Sequence, residues 1–318
     1  MKKSTIFGLL SIVAIIIVGF FAWNQRYAIY DYVRLQNYTP SPEITMLAQD
    51  SGMSSKGQNI FYVNDPQIAD QATFNSKCPQ KEQSIVLGCY NGREIYVYNV
   101  TEEQLSGIKE VTAAHEMLHA AYDRLSSSEK KSVDAMLLSV FDSIQDQRLK
   151  NIIEAYRKDD PSVVSNELHS IIGTEVRNLP PQLEQYYQKY FTDRSKVVSL
   201  SEQYEMVFID AKNKADQLLG DLSLRKAEID RLEKQVAQTM ATLQQQKVTL
   251  ENLKNSGNAE QYNSLVPSYN QTVKQYNQLV QEVGQLINEY NQKVADYNEL
   301  AGYQQELINS IDSKYQQL

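Results

Sequence analysis

The sequence predicts an α+β protein: a small β-sheet followed by helices, and then a long α-helical coiled-coil hairpin. Short β-rich runs lie between residues 60 and 100, helix caps with helical apolar spacing begin at Thr101, and a heptad repeat fills the last third of the 318 residues. A chain of this length exceeds the usual size of one domain. We therefore predict a transmembrane signal anchor at 1–23, a stalk at 24–56, a globular domain at 57–195 and the hairpin at 196–318.

An apolar segment near the amino terminus predicts the anchor. Residues 6–22 carry no charge, and Lys2 and Lys3 precede them. The segment is long enough to cross a bilayer as a helix, and the lysines favour an amino terminus in the cytoplasm. A cleavable signal peptide is the alternative, but Phe20–Trp23 offers no good pair of small residues for cleavage. We expect a single-pass protein of the cell membrane whose remaining residues are extracellular.

The segment after the anchor is polar. Residues 24–56 contain Pro40 and Pro42 and lack sustained periodicity, which is typical of a stalk. Ile60–Val63 is then short, apolar and rich in β-forming residues, so we predict a first strand there.

Two further β-rich runs, 85–90 and 94–98, flank Asn91-Gly92, the strongest short-range signal of a hairpin. Cys78 and Cys89 lie in this region, which we place outside the cell, where thiols are normally oxidised. We therefore predict a disulfide between them. Two unlinked buried thiols are an alternative, and a zinc pair is a weaker one because the spacing is wider than in a zinc knuckle.

From Thr101 onward, helix caps and helical apolar spacing replace the β pattern. Thr101–Gln104 has the form of a capping box, and a helix is expected over 111–125. Ser126–Glu129 offers a second cap, and Asp160-Pro161 opens a third helix toward residue 178. Strands followed by helices are the order of an α+β domain.

The last third of the chain carries two apolar heptad seams separated by Asn255–Asn258. We predict an antiparallel coiled-coil hairpin, although pairing between chains would satisfy the seams equally. The arms would serve as a spacer or assembly element, binding another copy or a partner protein, or as an arm that positions or covers the globular domain. The first seam is Leu222, Ile229, Leu232, Val236, Leu243, Leu250 and Leu253; the second is Tyr269, Val273, Tyr276, Val280, Val283, Ile287, Tyr290, Val294, Tyr297, Ala301, Ile308, Ile311 and Tyr315.

The chemistry is carried by an H-E-x-x-H motif, His115-Glu116-Met117-Leu118-His119, on the first predicted helix. Side chains four residues apart lie on one face of a helix, so the two imidazoles converge on a single metal ion. Glu116 is offset from them and can reach a metal-bound water as general base and acid. The chain has 3 histidines in all, and two of them are in this motif, which argues against a chance spacing.

On these residues the chain resembles the zincin metallopeptidases, over the motif helix and the preceding strands. The continuation that marks the metzincin group is absent, because Ala120–Arg124 follows His119. The resemblance implies a zincin-like catalytic domain with a gluzincin-like zinc site, whose third ligand is a glutamate from a later helix. It also implies that an edge strand holds the substrate backbone, and one strand of the 85–100 hairpin would serve.

Residues 166–175 are the candidate source of the third ligand, and they contain Glu167, His169 and Glu175. On a continuous helix the two glutamates are about 80° apart, whereas His169 points away from both. We favour Glu175, because its neighbours are apolar, and keep Glu167 and His169 as alternatives.

The formal net charge of −8 would repel a phosphate backbone, which excludes nucleic acid as a partner. The sequence thus favours a membrane-anchored extracellular zinc metallopeptidase acting on protein or peptide substrates. The alternative is a non-catalytic cell-surface scaffold, whose coiled coil binds a partner and whose metal site is structural or vestigial.

Overall fold

A computed structural model describes residue 19 and residues 26–78 and 85–315. The anchor predicted at 1–23 lies outside this part of the chain, apart from Gly19. Among the described residues, no helix combines the length and the apolar character needed to cross a bilayer.

The described chain is mostly helical, with one small sheet and one long helix pair. It divides into two compact units: a globular unit, which extends to Val207 and resumes at Leu307, and a helical unit, Phe208–Glu306. The elements are α1 Arg26–Asn37, α2 Pro42–Asp50, α3 Ser55–Tyr62, β1 Gln67–Ala69, α4 Gln71–Lys77, β2 Gly88–Tyr90, β3 Ile95–Tyr98, a 3-10 turn Glu103–Leu105, α5 Ile108–Asp123, α6 Ser127–Ser143, α7 Gln147–Asp159, α8 Val164–Glu175, α9 Pro181–Tyr187, α10 Arg194–Asn255 and α11 Ala259–Ile311.

The three described strands lie in the order β1-β3-β2. β3 is central and pairs in parallel with β1 and antiparallel with β2, with Tyr90 opposite Ile95. The Asn91 side chain closes the hairpin, because its Oδ1 accepts hydrogen bonds from the backbone N–H groups of Arg93 and Glu94. The predicted hairpin is confirmed, and it leaves β2 at the edge of the sheet.

The first predicted strand, Ile60–Val63, is wrong. These residues end α3, whose N-cap Ser54 accepts a hydrogen bond from the backbone N–H of Gly57. Ile60 and Phe61 are buried in the core on one side of this helix, so their apolar character reflects a helix face rather than a strand.

The segment expected to be a stalk also differs from the prediction. Ser41 caps α2, which has Pro42 in its first turn, and Ile44 and Leu47 of this helix are buried in the main core. The two prolines thus mark the approach to a helix, where a fixed φ is tolerated, rather than an extended linker. The globular unit therefore begins well before residue 57.

The core is built around α5, which packs against α8. Gly173 of α8 makes the close approach possible, because a Cβ there would overlap the Leu118 side chain and lie 2.7 Å from Cε1 of Tyr187. The turn before α5 is closed by Gly107, whose φ of 96° is in the left-handed region.

α10 and α11 form the predicted long helix pair. Arg225 pairs with Glu289, Asp221 pairs with Lys293 at 2.7 Å, and Gln246 donates to Ser268 at 3.3 Å. The residue numbers in each pair add to the same total, as antiparallel helices require, and place the turn at Gly257, whose φ is 75°. The two helices of one chain therefore pair with each other.

The second seam differs from the predicted one at three positions. Val280, Ile287 and Ile308, expected in the seam, are 44%, 36% and 41% exposed. The residues before them take the seam instead: Leu279, Leu286 and Leu307 are all less exposed, and Leu307 is buried. A heptad seam that contains a tyrosine can continue with the leucine three positions later or with the valine or isoleucine four positions later. The sequence alone is therefore compatible with both seams.

The carboxyl-terminal residues after α11 belong to the globular unit and dock on α4. The Ser313 backbone carbonyl accepts hydrogen bonds from Gln71 Nε2 at 2.9 Å and from Asn75 Nδ2 at 2.6 Å. The Ser313 hydroxyl donates to Asn75 Oδ1 at 2.8 Å, and Ser313 is buried. α4 leads directly into Cys78, which forms the predicted disulfide with Cys89 of β2, with 5.8 Å between their Cα atoms.

Candidate metal centre

α5 brings the three motif residues together as the spacing predicts. One ligand atom from each of His115, Glu116 and His119 lies within 4.8 Å of the others. The two imidazole rings have centroids 4.7 Å apart and planes 74° apart. Both histidine side chains keep some contact with solvent, at 21% and 12% exposure. This group could therefore hold a metal ion that remains reachable from outside.

Glu167, in the first turn of α8, faces both histidines. Its Oε2 lies 3.7 Å from His115 Nε2, and its Oε1 lies 3.6 Å from His119 Nε2. Ligand atoms bound tetrahedrally to zinc at about 2.0–2.1 Å are roughly 3.3 Å apart. Each imidazole Nε2 is thus separated from a Glu167 oxygen by nearly the distance that a shared ion would set, and the donor set fits a divalent cation such as zinc.

The Glu167 carboxyl group is held in its anionic form. Burial by itself raises its pKa, but the nearby His119 and His115 outweigh that effect, and Tyr156 adds a hydrogen bond, so the pKa lies below its usual value. An anionic carboxylate is the form that binds a metal ion. Tyr156, on α7, was not singled out from the sequence, because nothing local distinguishes it among 21 tyrosines.

Glu116 occupies the gap between α5 and β2, and it is 5% exposed. A Cβ on Gly88 would lie 2.7 Å from Glu116 Oε1 and 2.5 Å from Thr112 Cγ2. Only glycine lets the edge strand pass this close to the carboxylate. In the sequence, Gly88 inside an apolar run of β character is the one local sign of this contact.

These residues line one open cleft of about 670 Å³. β2 and the residues before it form one wall, and α5, α7 and α8 supply most of the other. His115, His119, Glu116 and Glu167 all face this cleft, so the metal-binding group and the edge of the sheet share one space.

Glu175, the favoured third ligand, binds another residue of the cleft wall instead of facing the histidines. Its Oε2 accepts a hydrogen bond from Arg148 Nη2 at 2.8 Å, and Arg148 also pairs with Glu205 at 2.5 Å. Burial raises the pKa of Glu205 to about 7, Arg148 opposes this, and Glu175 raises it further through charge and a hydrogen bond. The two carboxyl groups thus compete for one guanidinium, and the structure brings Glu167 rather than Glu175 to the histidines.

His169, the other alternative, is a core residue. It is fully buried, its Nε2 lies 2.8 Å from the Tyr186 hydroxyl, and the Tyr187 hydroxyl donates to its backbone carbonyl. Burial lowers the pKa of the imidazole to about 3, so it stays neutral at physiological pH. Its ring packs between aromatic side chains instead of facing the cleft.

Comparison of the chain with protein-family models, with curated proteins and with solved structures gives no match.

Proposed function

We propose that the protein is a zinc metallopeptidase that hydrolyses peptide bonds and is held at the outer face of the cell membrane by residues 1–23. One observation carries the proposal: the Glu167 carboxylate lies 3.6–3.7 Å from the Nε2 atoms of both His119 and His115. Two imidazoles and one carboxylate are a donor set of catalytic zinc sites, which keep a fourth position open for water or substrate.

His115, His119 and Glu167 would hold the ion, and Glu116 would move protons. When bound, zinc supplies the Lewis acid that polarises the scissile carbonyl and acidifies a water molecule. The Glu116 carboxylate takes a proton from the attacking water and gives it to the amine nitrogen that leaves, so the proton balance closes within one turnover. Its low exposure keeps the carboxylate out of bulk solvent.

The position of β2 supports a peptide substrate. An edge strand offers backbone N–H and C=O groups that an extended peptide can pair with, and β2 lies at the edge of the described sheet along the cleft. Gly88 brings this strand against Glu116, so a peptide paired to β2 would run past the general base.

The test is to measure zinc content and hydrolysis on the same samples of the full-length protein. The parent and the Glu116→Gln variant should each bind one zinc per chain, because Glu116 is not a proposed ligand. The variant should lose at least about a hundredfold in the rate of hydrolysis of an unstructured protein substrate, the usual scale for a general acid–base group. A parent without zinc after dialysis against zinc, or a variant as active as the parent, would refute the proposal.

The non-catalytic scaffold predicts a different result. In that case the parent binds zinc with a closed coordination shell and hydrolyses nothing. Replacement of zinc by cobalt separates the two, because its absorption spectrum shifts when an inhibitor occupies an open position and is insensitive when the site is closed.

A further inference from the structure

Asp123 is the last residue of α5 and lies one helical turn beyond His119, on the same face of the helix. At about 1.5 Å per residue, it is about 6 Å further along the helix axis than His119. Asp123 lines the cleft and is partly exposed. The cleft therefore continues past the metal-binding group to a further carboxylate.

The acidic residues of the cleft differ in what they bind. Among the described residues that line it, the acidic side chains and the one arginine are Glu116, Asp123, Glu167, Glu175 and Arg148. In the proposed mechanism Glu167 binds the ion and Glu116 transfers protons. Glu175 pairs with Arg148 at 2.8 Å. Asp123 forms no ion pair within the described chain, so its charge is the one left to meet a substrate.

Arg124, which follows Asp123, is already paired. Its Nη2 and Nε lie 2.7 Å and 2.9 Å from the two carboxylate oxygens of Asp31, and its Nη1 donates to the Ala120 carbonyl. The last carbonyl groups of a helix carry a partial negative charge, which opposes a carboxylate there and favours a cation. Asp123 thus gives this end of the cleft a negative charge that its neighbours in the described chain do not neutralise.

The strand β2 sets the direction in which a peptide would lie. A Cβ on Gly88 would lie 2.7 Å from Glu116 Oε1. Tyr90, two residues later and on the same face of the strand, accepts a hydrogen bond from the Arg124 side chain. β2 therefore runs beside α5 from the proposed general base toward Asp123. A peptide that pairs antiparallel to β2, the more stable pairing, places its amino-terminal part beside Tyr90 and Asp123.

We propose that Asp123 selects substrates with a lysine or arginine side chain on the amino-terminal side of the cleaved bond, an inference that rests on the proposed peptidase activity. An ammonium or guanidinium group on a long flexible stem can reach a carboxylate one turn beyond His119 while the peptide backbone stays paired with β2. A neutral side chain of the same length lacks the ion pair, and an acidic one is repelled. Asp123 acts on the binding of the substrate and not on the transfer of protons.

The first test measures the cleavage of amino-terminally acetylated peptides that are identical except at one residue, which is lysine, norleucine or glutamate. For the parent, kcat/KM should be at least about fivefold higher with lysine than with norleucine, the scale of a partly exposed ion pair. Mass spectrometry should locate the cut on the carboxyl side of the lysine. Asp123→Asn should remove the difference, and Asp123→Lys should favour glutamate. Asp142→Asn, which removes an exposed charge outside the cleft, is the matched control and should keep the preference.

The second test measures binding without hydrolysis. Zinc-loaded Glu116→Gln protein should bind the acetylated lysine peptide at least about fivefold more tightly than the norleucine peptide, and the added Asp123→Asn change should remove the difference. Asp123→Asn should leave the zinc content unchanged, because Asp123 is not a proposed ligand. It should not lower the free energy of unfolding, because a carboxylate at the end of a helix opposes the helix dipole.

The two tests separate this inference from the proposed function. An active parent or a Glu116→Gln protein without the preference for lysine would overturn the inference, as would a preference that survives Asp123→Asn or appears only with an unblocked amino terminus. A parent that hydrolyses none of the peptides, together with an intact binding preference, would instead refute the peptidase and support Asp123 as the site that binds the cation.

Discussion

Gly88 on β2 lies so close to Glu116 on α5 that a single added methyl group would meet the carboxylate at 2.7 Å. This contact joins the cleft's edge strand to the proposed general base. We predict that Gly88→Ala keeps zinc but lowers kcat/KM by at least about tenfold, because misplacing a catalytic group by about 1 Å is costly. Steady-state kinetics with metal analysis checks it. Gly220→Ala, where the new Cβ has open space, is the control and should match the parent.

The third ligand is distinguished by two matched substitutions on α8. Glu167→Ala should weaken zinc binding by at least about a hundredfold, because it removes a ligand atom from the shared ion. Glu175→Ala should leave the zinc affinity close to that of the parent, since its carboxylate is bound by Arg148. Competition with a chromophoric chelator measures both. Loss of zinc from the Glu175 variant alone would reverse the assignment.

The packing of α5 on α8 sets the position of Glu167, and Gly173 permits it. Gly173→Ala should lower the free energy of unfolding by about 1–3 kcal/mol, because the Cβ would overlap Leu118 and crowd Tyr187 in a closely packed core. Chemical denaturation measures the change. An alanine at this site that stabilised the protein, as a helical glycine-to-alanine change does at an open site, would contradict the packing described.

The free energy of unfolding should depend on pH through the Glu175–Arg148–Glu205 cluster. The direction of that dependence follows from the pKa of Glu205. Its pKa is raised from 4.5 to about 7 in the folded protein, so the folded state binds more protons than the unfolded state between these values. Stability from this group is present below about pH 4.5 and is lost as the pH rises to 7. Glu205→Gln should flatten that part of the stability profile measured by denaturation. Glu202→Gln should not, because Arg177 lowers the pKa of Glu202 instead.

The sequence predicted the elements whose determinants are local. His115, Glu116 and His119 share one helix, so their spacing was enough to bring them together, and Asn91-Gly92 was enough to close the hairpin. The third ligand was different, because Glu167 and Glu175 belong to the same helix face. Which turn of α8 meets α5 depends on the close contact at Gly173, a tertiary feature that periodicity does not contain.

Two of the other corrections have the same origin. Ile60–Val63 has the composition of a strand, but Ser54 starts a helix whose buried face these residues complete. The choice between Leu286 and Ile287 for the second seam depends on how α11 is rotated against α10, and both residues are apolar at the right period. In each case the local sequence pattern is compatible with two structures, and the packing against other helices decides between them.

Ser313, seated on α4 by Gln71 and Asn75, makes the two long helices an insertion rather than a tail. The polypeptide leaves the globular unit after Val207, turns at Gly257 and re-enters at Leu307. A stop codon placed before α11 would therefore also remove the Ser313 carbonyl, which accepts hydrogen bonds from the side-chain amides of Gln71 and Asn75. These contacts lie next to the disulfide that holds the edge strand of the cleft. An internal excision that joins the exit and re-entry points is the change that would separate the role of the arms from the integrity of the fold.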